Sequence, residues 1–274
     1  AELSHGIRIS LLPGILQAVD AGEIKISSLH NFCPLPLGVN RANPNIFQFS
    51  SPDNREWNNA LRYSVKTIET AARVKAQLVV LHLGSVSMSD YTDRLIELVD
   101  ADQKDSPKYA ALCEEVLEKR ERRKKKYVER TQELLALLVD HANKHGVKLG
   151  LENREALEEI PFESDFRLFL KDFPQPCIGY WHDTGHAQIK ENLGFIHHVM
   201  HLESVADRLF GFHVHDVRYP ARDHCPPGTG AIDFAALKPF VKPEHIKVFE
   251  IMPGVPPEDL KRGVATLKAI WGEE

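Results

Sequence analysis

The sequence has little of what staples small secreted folds, and nothing that marks a membrane helix. Its 274 residues include only four cysteines, Cys33, Cys113, Cys177 and Cys225, scattered with no CxxC pair. A disulfide framework and a cysteine-built zinc knuckle are therefore excluded, and a reducing cytoplasm fits. No apolar run approaches ~18 residues, so no stretch reads as a membrane-spanning helix. The first residues, AELSHGIRIS, do not read as a signal peptide. There is no basic excess: the net charge of −5 argues against a dedicated nucleic-acid binder. There is no sequence repeat, low-complexity tract or linker, so residues 1–274 read as one domain. What the chain does have is 43% hydrophobic residues, enough for a large core, and 14 histidines. Histidine is the commonest metal ligand and the usual acid–base group near neutral pH.

Short apolar runs alternate with segments of helical period. The strand candidates are Ile24–Leu29, Leu78–Leu83, Val147–Leu151, Ile178–Trp181, Leu209–His213 and Ile246–Glu250. They are too short for helices and lean towards β-branched and aromatic residues. Helical stripes fall between them: Trp57 to Ala72, with Ser51–Pro52 as N-cap and first-turn proline; Tyr127 to Ala142, with Gly146 as C-cap; Phe195 to Met200; and Leu260 to Trp271. Alternating β and α over this length predicts a parallel sheet and an α/β fold. The stretch from Gly84 to Val147 is about twice a usual crossover, which predicts a helical insertion at about 88–126. It carries a further stripe, Tyr109 to Leu117, and the charge run EKRERRKKK at 118–126. Interleaved glutamates make that run a solvated helix face, with a nucleic-acid or partner contact as the lesser alternative.

Nearly every strand candidate ends in a group that a buried strand interior has no use for, since unpaired burial costs several kcal/mol. His30 follows ISSL, His82 lies in VVLHLG and Glu152 follows KLGL. Asp183 and His186 follow IGYW, His213 and His215 follow LFGF, and Glu250 follows IKVF. In a (β/α)8 barrel the C-terminal strand ends converge on one mouth. Glu152, Asp183, His213 and Glu250 follow one another at 31, 30 and 37 residues, each close to one βα unit. Carboxylates and imidazole without thiolate predict a divalent-metal site for Mn²⁺, Mg²⁺, Co²⁺ or Zn²⁺. A buried ion pair is the structural alternative for Glu152 and Glu250, and a helix cap for Asp183. His141, His145, His197, His198, His201 and His245 read as packing residues, as do Cys33 and Cys225; His5 is open.

HDTGHA at 182–187, HVHD at 213–216, HCPPGTGAIDF at 224–234 and FEIMP at 249–253 resemble the xylose isomerase-like TIM-barrel superfamily. That group holds sugar isomerases, ketose epimerases, hydroxypyruvate isomerase, dehydratases and endonuclease IV. The resemblance runs from LHNFCPLP at 29–36 to FEIMP. It implies a (β/α)8 TIM barrel and a metal-dependent isomerase or epimerase (class EC 5) of carbohydrate metabolism, cytoplasmic and acting on a small sugar or sugar phosphate. Glu152, Asp183, His213 and Glu250 would be its metal ligands, and Glu152 and Glu250 its acid–base groups. The reaction removes a proton next to a carbonyl and passes through an enediolate. His186 would hold substrate or a second metal, and Arg218 or Arg222 a substrate hydroxyl, carboxylate or phosphate. His30, His82, His215 and His224 would likewise bind substrate or a second metal.

The rival within the resemblance is endonuclease IV-like zinc phosphodiester cleavage of abasic DNA. Its extra zinc ligands would fall on His30, His82, His186 and His224. Against it, the D-x-H expected before the glycine turn reads Arg222-Asp223-His224, one place out of register. A dehydratase or lyase of the same superfamily is a further alternative, and the sequence leaves room for a homo-oligomer. Counting strands back from the C-terminus makes Ala1–Ser4 the second strand and leaves none for the first. The expectation is a barrel without its first βα unit, with about 25–35 residues upstream, or else an open seven-stranded barrel or a gap closed by another chain.

Overall fold

A computed structural model describes residues 1–272. The strands are β1 (Glu2–Leu3), β2 (Ser28–His30), β3 (Leu78–Leu81), β4 (Lys148–Glu152), β5 (Ile178–Asp183), β6 (Leu209–Val214), β7 (Asp216–Arg218), β8 (Arg222–Cys225) and β9 (Ile246–Phe249). The helices are α1 (Leu12–Asp20), α2 (Asn54–Arg73), α3 (Thr92–Asp100), α4 (Pro107–His145), α5 (Phe166–Asp172), α6 (Thr184–Asn192), α7 (His198–Val205), α8 (Phe234–Leu237) and α9 (Pro257–Trp271). Seven strands make one sheet in the order β1-β2-β3-β4-β5-β6-β9, so β1 and β9 are its two ends. The β1–β2, β2–β3, β3–β4 and β6–β9 ladders are parallel. Six of them overlap the apolar runs of the sequence, though β2 begins only at Ser28 rather than Ile24, and β1 falls on the Ala1–Ser4 segment reached by counting strands back from the C-terminus. The β7–β8 pair is an antiparallel hairpin that the pattern does not show.

The chain divides into two compact units. One comprises Ala1–Val86, Lys124–Glu152 and Leu168–Tyr180; the other comprises Ser87–Arg123, Asn153–Arg167 and the chain from Trp181 onward. In the first, β3 is buried along its whole length, and Leu149 and Leu151 of β4 join it in the core with Ile68, Leu134, Leu135 and Leu138. Strands this uniformly apolar belong to a sheet covered on both faces. In the second, Phe212, Val214, Phe234, Leu267 and Trp271 form the core around β6, α8 and α9.

Helix α2 starts two residues later than the sequence suggests. Asp53 is its N-cap and accepts the Glu56 N–H at 2.9 Å. Ser51 instead donates to the Glu56 carboxylate at 2.7 Å and accepts the Asp53 N–H. A carboxylate three residues before an unpaired N–H is the better placed acceptor.

The stripe at 109–117, the charge run and the stripe at 127–142 form a single 39-residue helix, α4. No glycine or proline interrupts residues 108–145, and i,i+4 pairs such as Glu115–Lys119 and Lys125–Glu129 support the exposed turns. Gly146 ends the helix at φ +65°, and Val147 N–H closes back on Ala142 O at 3.0 Å. Most of the charge run is solvated, as expected, but Arg120 is 1% exposed. Its guanidinium meets Asp165 at 2.9 Å and donates to the carbonyls of Leu157 and Glu159. That contact fixes the 153–167 segment, and other buried carboxylates hold it further. Glu158 takes the N–H groups of Tyr91 and Thr92 and the Thr92 hydroxyl, Glu159 pairs with Arg154, and Glu163 pairs with Lys190. Burial pushes Glu163 up and Lys190 down in pKa, and each one's charge opposes the other's shift.

His182, His198 and His201 are buried as packing residues. His182 Nε2 lies 2.9 Å from His198 Nε2. Burial pushes His182 well below its usual value, His198 down to about 4 and His201 down to about 3. The unfolded chain takes up these protons near pH 6.5, whereas the folded chain does so only near 4 and 3. Below pH 6.5 the unfolded state therefore binds more protons, and stability decreases as the pH is lowered across that window. The urea midpoint should drop between pH 6.5 and 4.5, with a shallower slope in His198→Gln; equal slopes in both proteins would contradict this origin.

Candidate metal centre

Asp183 ends β5, and its side chain does several things at once. Oδ1 caps α6 by accepting the His186 N–H at 2.7 Å. His215 Nε2 lies 3.0 Å from Oδ1. Oδ2 stands 3.9 Å from His213 Nδ1 and 3.6 Å from His186 Nδ1. Asp183 is thus a helix cap whose second oxygen faces two imidazoles. Its backbone is fixed by Asn153, whose Oδ1 accepts the Asp183 N–H at 2.7 Å and whose Nδ2 donates to the Asp183 carbonyl at 3.0 Å. Sequence reasoning passed over Asn153, although it adjoins Glu152.

His213, at the end of β6, is fully buried and presents Nδ1 to Glu250 Oε2 at 3.2 Å. Glu250 follows β9 directly and its side chain is 38% exposed. Metal–donor bonds of about 2.0–2.2 Å put neighbouring donors roughly 3.0–3.4 Å apart. The His213–Glu250 separation falls inside that range, and Asp183 stands slightly wider. A buried imidazole flanked by two carboxylates is the donor chemistry of a divalent cation of the Mn²⁺ or Zn²⁺ type.

His215 is built differently. Its Nδ1 accepts the His224 N–H at 2.9 Å, so in the neutral ring Nε2–H donates to Asp183. Both ring nitrogens are spoken for, and the residue orients Asp183. Burial opposes a charge on this ring, but Asp183, Glu250 and Asp223 outweigh it and raise its pKa. The ring also explains the glycine of DTGH, because a Cβ on Gly185 would lie 2.0 Å from His215 Cε1. His186 places Nδ1 3.0 Å from the Asn153 carbonyl and 3.3 Å from Arg154 Nη1. Its ring joins Glu155 and Asp223 in a second group with ligand atoms within 4.8 Å of one another. Burial is the main cause that pushes Glu155 up to about 7; Arg154 opposes it, while Glu159, Asp223 and Asp183 add to it.

His224 sends Nδ1 to the Glu250 carbonyl at 3.1 Å. Arg218 is exposed on the β7–β8 hairpin, where its Nε donates to the Thr229 carbonyl. Arg222 is exposed on the same hairpin. Asp216 is a residue that the sequence reading left without a role. Its two oxygens accept the N–H groups of Val217, Gly228, Gly230 and Ile232 at 2.8–3.1 Å. It therefore shapes the PPGTGAI turn; a Cβ on Gly230 would meet Val217 O at 2.3 Å. A lone Asp after HVH carries no sequence signal of that task.

In the other unit, His30 at the end of β2, His82 just past β3 and Glu152 at the end of β4 form a buried group. Glu152 Oε2 is 2.7 Å from His82 Nε2 and 3.4 Å from His30 Nε2. The other ring nitrogens are anchored by Asn45 Oδ1 on His82 Nδ1 and the Asn31 carbonyl on His30 Nδ1, both at 2.9 Å. The His30 and His82 rings stand edge to face at 4.6 Å, and His5 packs on His30 at 5.4 Å. The 2.7 Å contact is of hydrogen-bond length, shorter than two donors on one metal. Cys33 is buried, and burial pushes its thiol up to about 12, as suits a packing residue.

The sequence profile of the xylose isomerase-like TIM barrel matches residues 13–270. The chain belongs to that family. Among solved structures it is similar to a D-tagatose 3-epimerase-like protein, at 18% identity and TM-score 0.67 over 99% of this chain and 87% of the other. It is also similar to the E. coli 3-keto-D-glucoside 4-epimerase YcjR, at 14% identity and TM-score 0.65 over 95% and 85%. A third is a Thermus thermophilus protein, TTHB071, soaked with ZnCl2, at 21% identity and TM-score 0.62 over 100% and 89%. At these identities the likeness concerns the fold. A comparison with curated proteins gave no match. No described helix is long and apolar enough to cross a membrane.

Since the Gly185 Cβ position is already filled by His215, Gly185→Ala should cost about 1–3 kcal/mol through overpacking. The urea midpoint reads this; an unchanged midpoint would show that His215 does not depend on the glycine.

Proposed function

We propose that the protein is a divalent-metal-dependent isomerase or epimerase of a sugar or sugar phosphate. Glu152, Asp183, His213 and Glu250 would hold the ion, and Glu152 and Glu250 would move the proton. The observation that carries this reading is His213 Nδ1, buried at a strand end and facing the carboxylates of Glu250 at 3.2 Å and Asp183 at 3.9 Å. Glu152, the carboxylate that ends β4, would be the fourth ligand. The epimerases among the similar structures support the substrate class.

A bound divalent cation supplies an electrophile that acidifies the carbon next to a carbonyl. The residues do the remainder. Asp183 and His213, buried and tied to their strands, would fix the ion's position. Glu250, the most exposed of the set, meets incoming substrate and takes or returns the proton at Oε1 or Oε2. Glu152, buried beside His82 and His30, has imidazoles at hand to balance its charge as it exchanges a proton. A C–H next to a carbonyl is a weak acid, so base and electrophile have to act together.

A second reading, phosphodiester cleavage on several zinc ions, has one observation in its favour. The His30–His82–Glu152 and Glu155–His186–Asp223 groups each offer three ligand-type atoms within 4.8 Å. The 2.7 Å His82–Glu152 contact favours the single-ion reading. Cleavage of an abasic-site duplex with three zinc ions per chain would establish the second reading instead.

With a panel of ketoses and ketose phosphates and Mn²⁺, the wild-type protein should wash deuterium from D₂O into the carbon next to the carbonyl. Glu152→Gln and Glu250→Gln should each lower that exchange by roughly 10²–10⁴-fold. A variant that exchanges at the wild-type rate has not lost the base.

A further inference from the structure

His224 occupies backbone space that a side chain rarely enters, with φ +49°. A left-handed residue bearing a Cβ is strained and persists where its surroundings fix it. Four contacts do so here. The His224 N–H donates to His215 Nδ1 at 2.9 Å. Its ring stacks on the His215 ring at 4.3 Å and 28°. Its Nδ1–H donates to the Glu250 carbonyl at 3.1 Å. Its own carbonyl accepts the Met252 N–H at 2.9 Å. Glu250 lies past the end of β9, where its N–H reaches Val214 O at 3.2 Å. Its carboxylate meets His213 Nδ1 at 3.2 Å, while its backbone carbonyl and N–H are held by His224 and Val214.

We propose that His224 is a positioning residue for Glu250, rather than a ligand of metal or substrate. It joins Glu250 through His215 to Asp183, so that two of the carboxylates read as ligands share one hydrogen-bonded frame. The carbonyl at 3.1 Å fixes the ring as the Nδ1–H tautomer in its neutral form. At φ +49° the backbone presents its N–H to His215 and its ring to the Glu250 carbonyl together. The inference rests on the reading of Glu250 as a metal ligand.

The test is Mn²⁺ affinity and stoichiometry, by titration with electron paramagnetic resonance of free Mn²⁺, on the wild type and three variants. Asparagine accepts the left-handed backbone and offers an amide N–H near the place of Nδ1–H. Glutamine carries its amide where Nε2 stood, and glycine relieves the backbone and removes the donor. His224→Asn should bind within about threefold of wild type, while His224→Gln and His224→Gly weaken roughly 10–100-fold, the range seen for residues that orient ligands. Stoichiometry should not change in any of them, and His224→Gly should melt no lower than wild type. Wild-type affinity in both His224→Gln and His224→Gly would overturn the proposal. Loss of one ion per chain would also overturn it, since His224 would then be a ligand. Equal weakening in all three variants, tracking their melting temperatures, would reduce the role to stability and overturn it as well. A wild-type chain that binds no Mn²⁺ would instead overturn the functional reading on which this one stands.

Discussion

A carboxylate at the buried end of a strand has to be satisfied on both oxygens, and the way Asp183 meets that demand organises its surroundings. Oδ1 starts α6 by taking the His186 N–H, and His215 gives its proton to the same carboxylate, its Nε2 lying 3.0 Å from Oδ1 and 3.1 Å from Oδ2. Because His215 gives its proton there, its other nitrogen is left to accept from the His224 backbone, and His224 in turn grips Glu250. Oδ2 is the oxygen turned towards His213 and His186. An unpaired buried carboxylate costs several kcal/mol, so each of these partners has a reason to be where it is. The glycine of the DTGH turn follows from the same chain of contacts, since the His215 ring lies where its side chain would have been.

The loops around this centre are held by the same chemistry turned outward. Asp216 gathers four N–H groups of the glycine-rich turn, which no run of apolar contacts could order in so few residues. The 153–167 segment carries Glu158, Glu159, Glu163 and Asp165, each matched by a helix start or a buried cation. Arg120 and Lys190 are both 1% exposed. Removing one member of such a pair leaves an uncompensated buried charge, which is far more damaging than removing both. These pairs therefore fix loop geometry more than they add stability.

The strands were legible because a parallel sheet covered on both faces leaves short apolar runs ending in polar groups. For the same reason Asp183, His213 and Glu250 could be picked out: nothing else accounts for a carboxylate or imidazole directly after such a run. The misses have physical causes. The β7–β8 hairpin is three and four residues long and largely polar, so it has no period to read. Arg120 looks like its neighbours in a run of nine charges; its partners Leu157, Glu159 and Asp165, far away in sequence, distinguish it. His224 was grouped with the ligands by residue type, whereas its φ and the direction of its Nδ1 are invisible in a sequence. Asp216, too, acts through backbone N–H groups that belong to any sequence.

The proposed function requires one divalent ion held by Glu152, Asp183, His213 and Glu250. Anomalous scattering from crystals grown with Mn²⁺ tests it most directly. The account predicts one strong peak within about 2.0–2.4 Å of oxygens of Glu152, Asp183 and Glu250 and of His213 Nδ1. A peak that leaves His213 out, or ions held only by His30 and His82 or by Glu155 and Asp223, would contradict it.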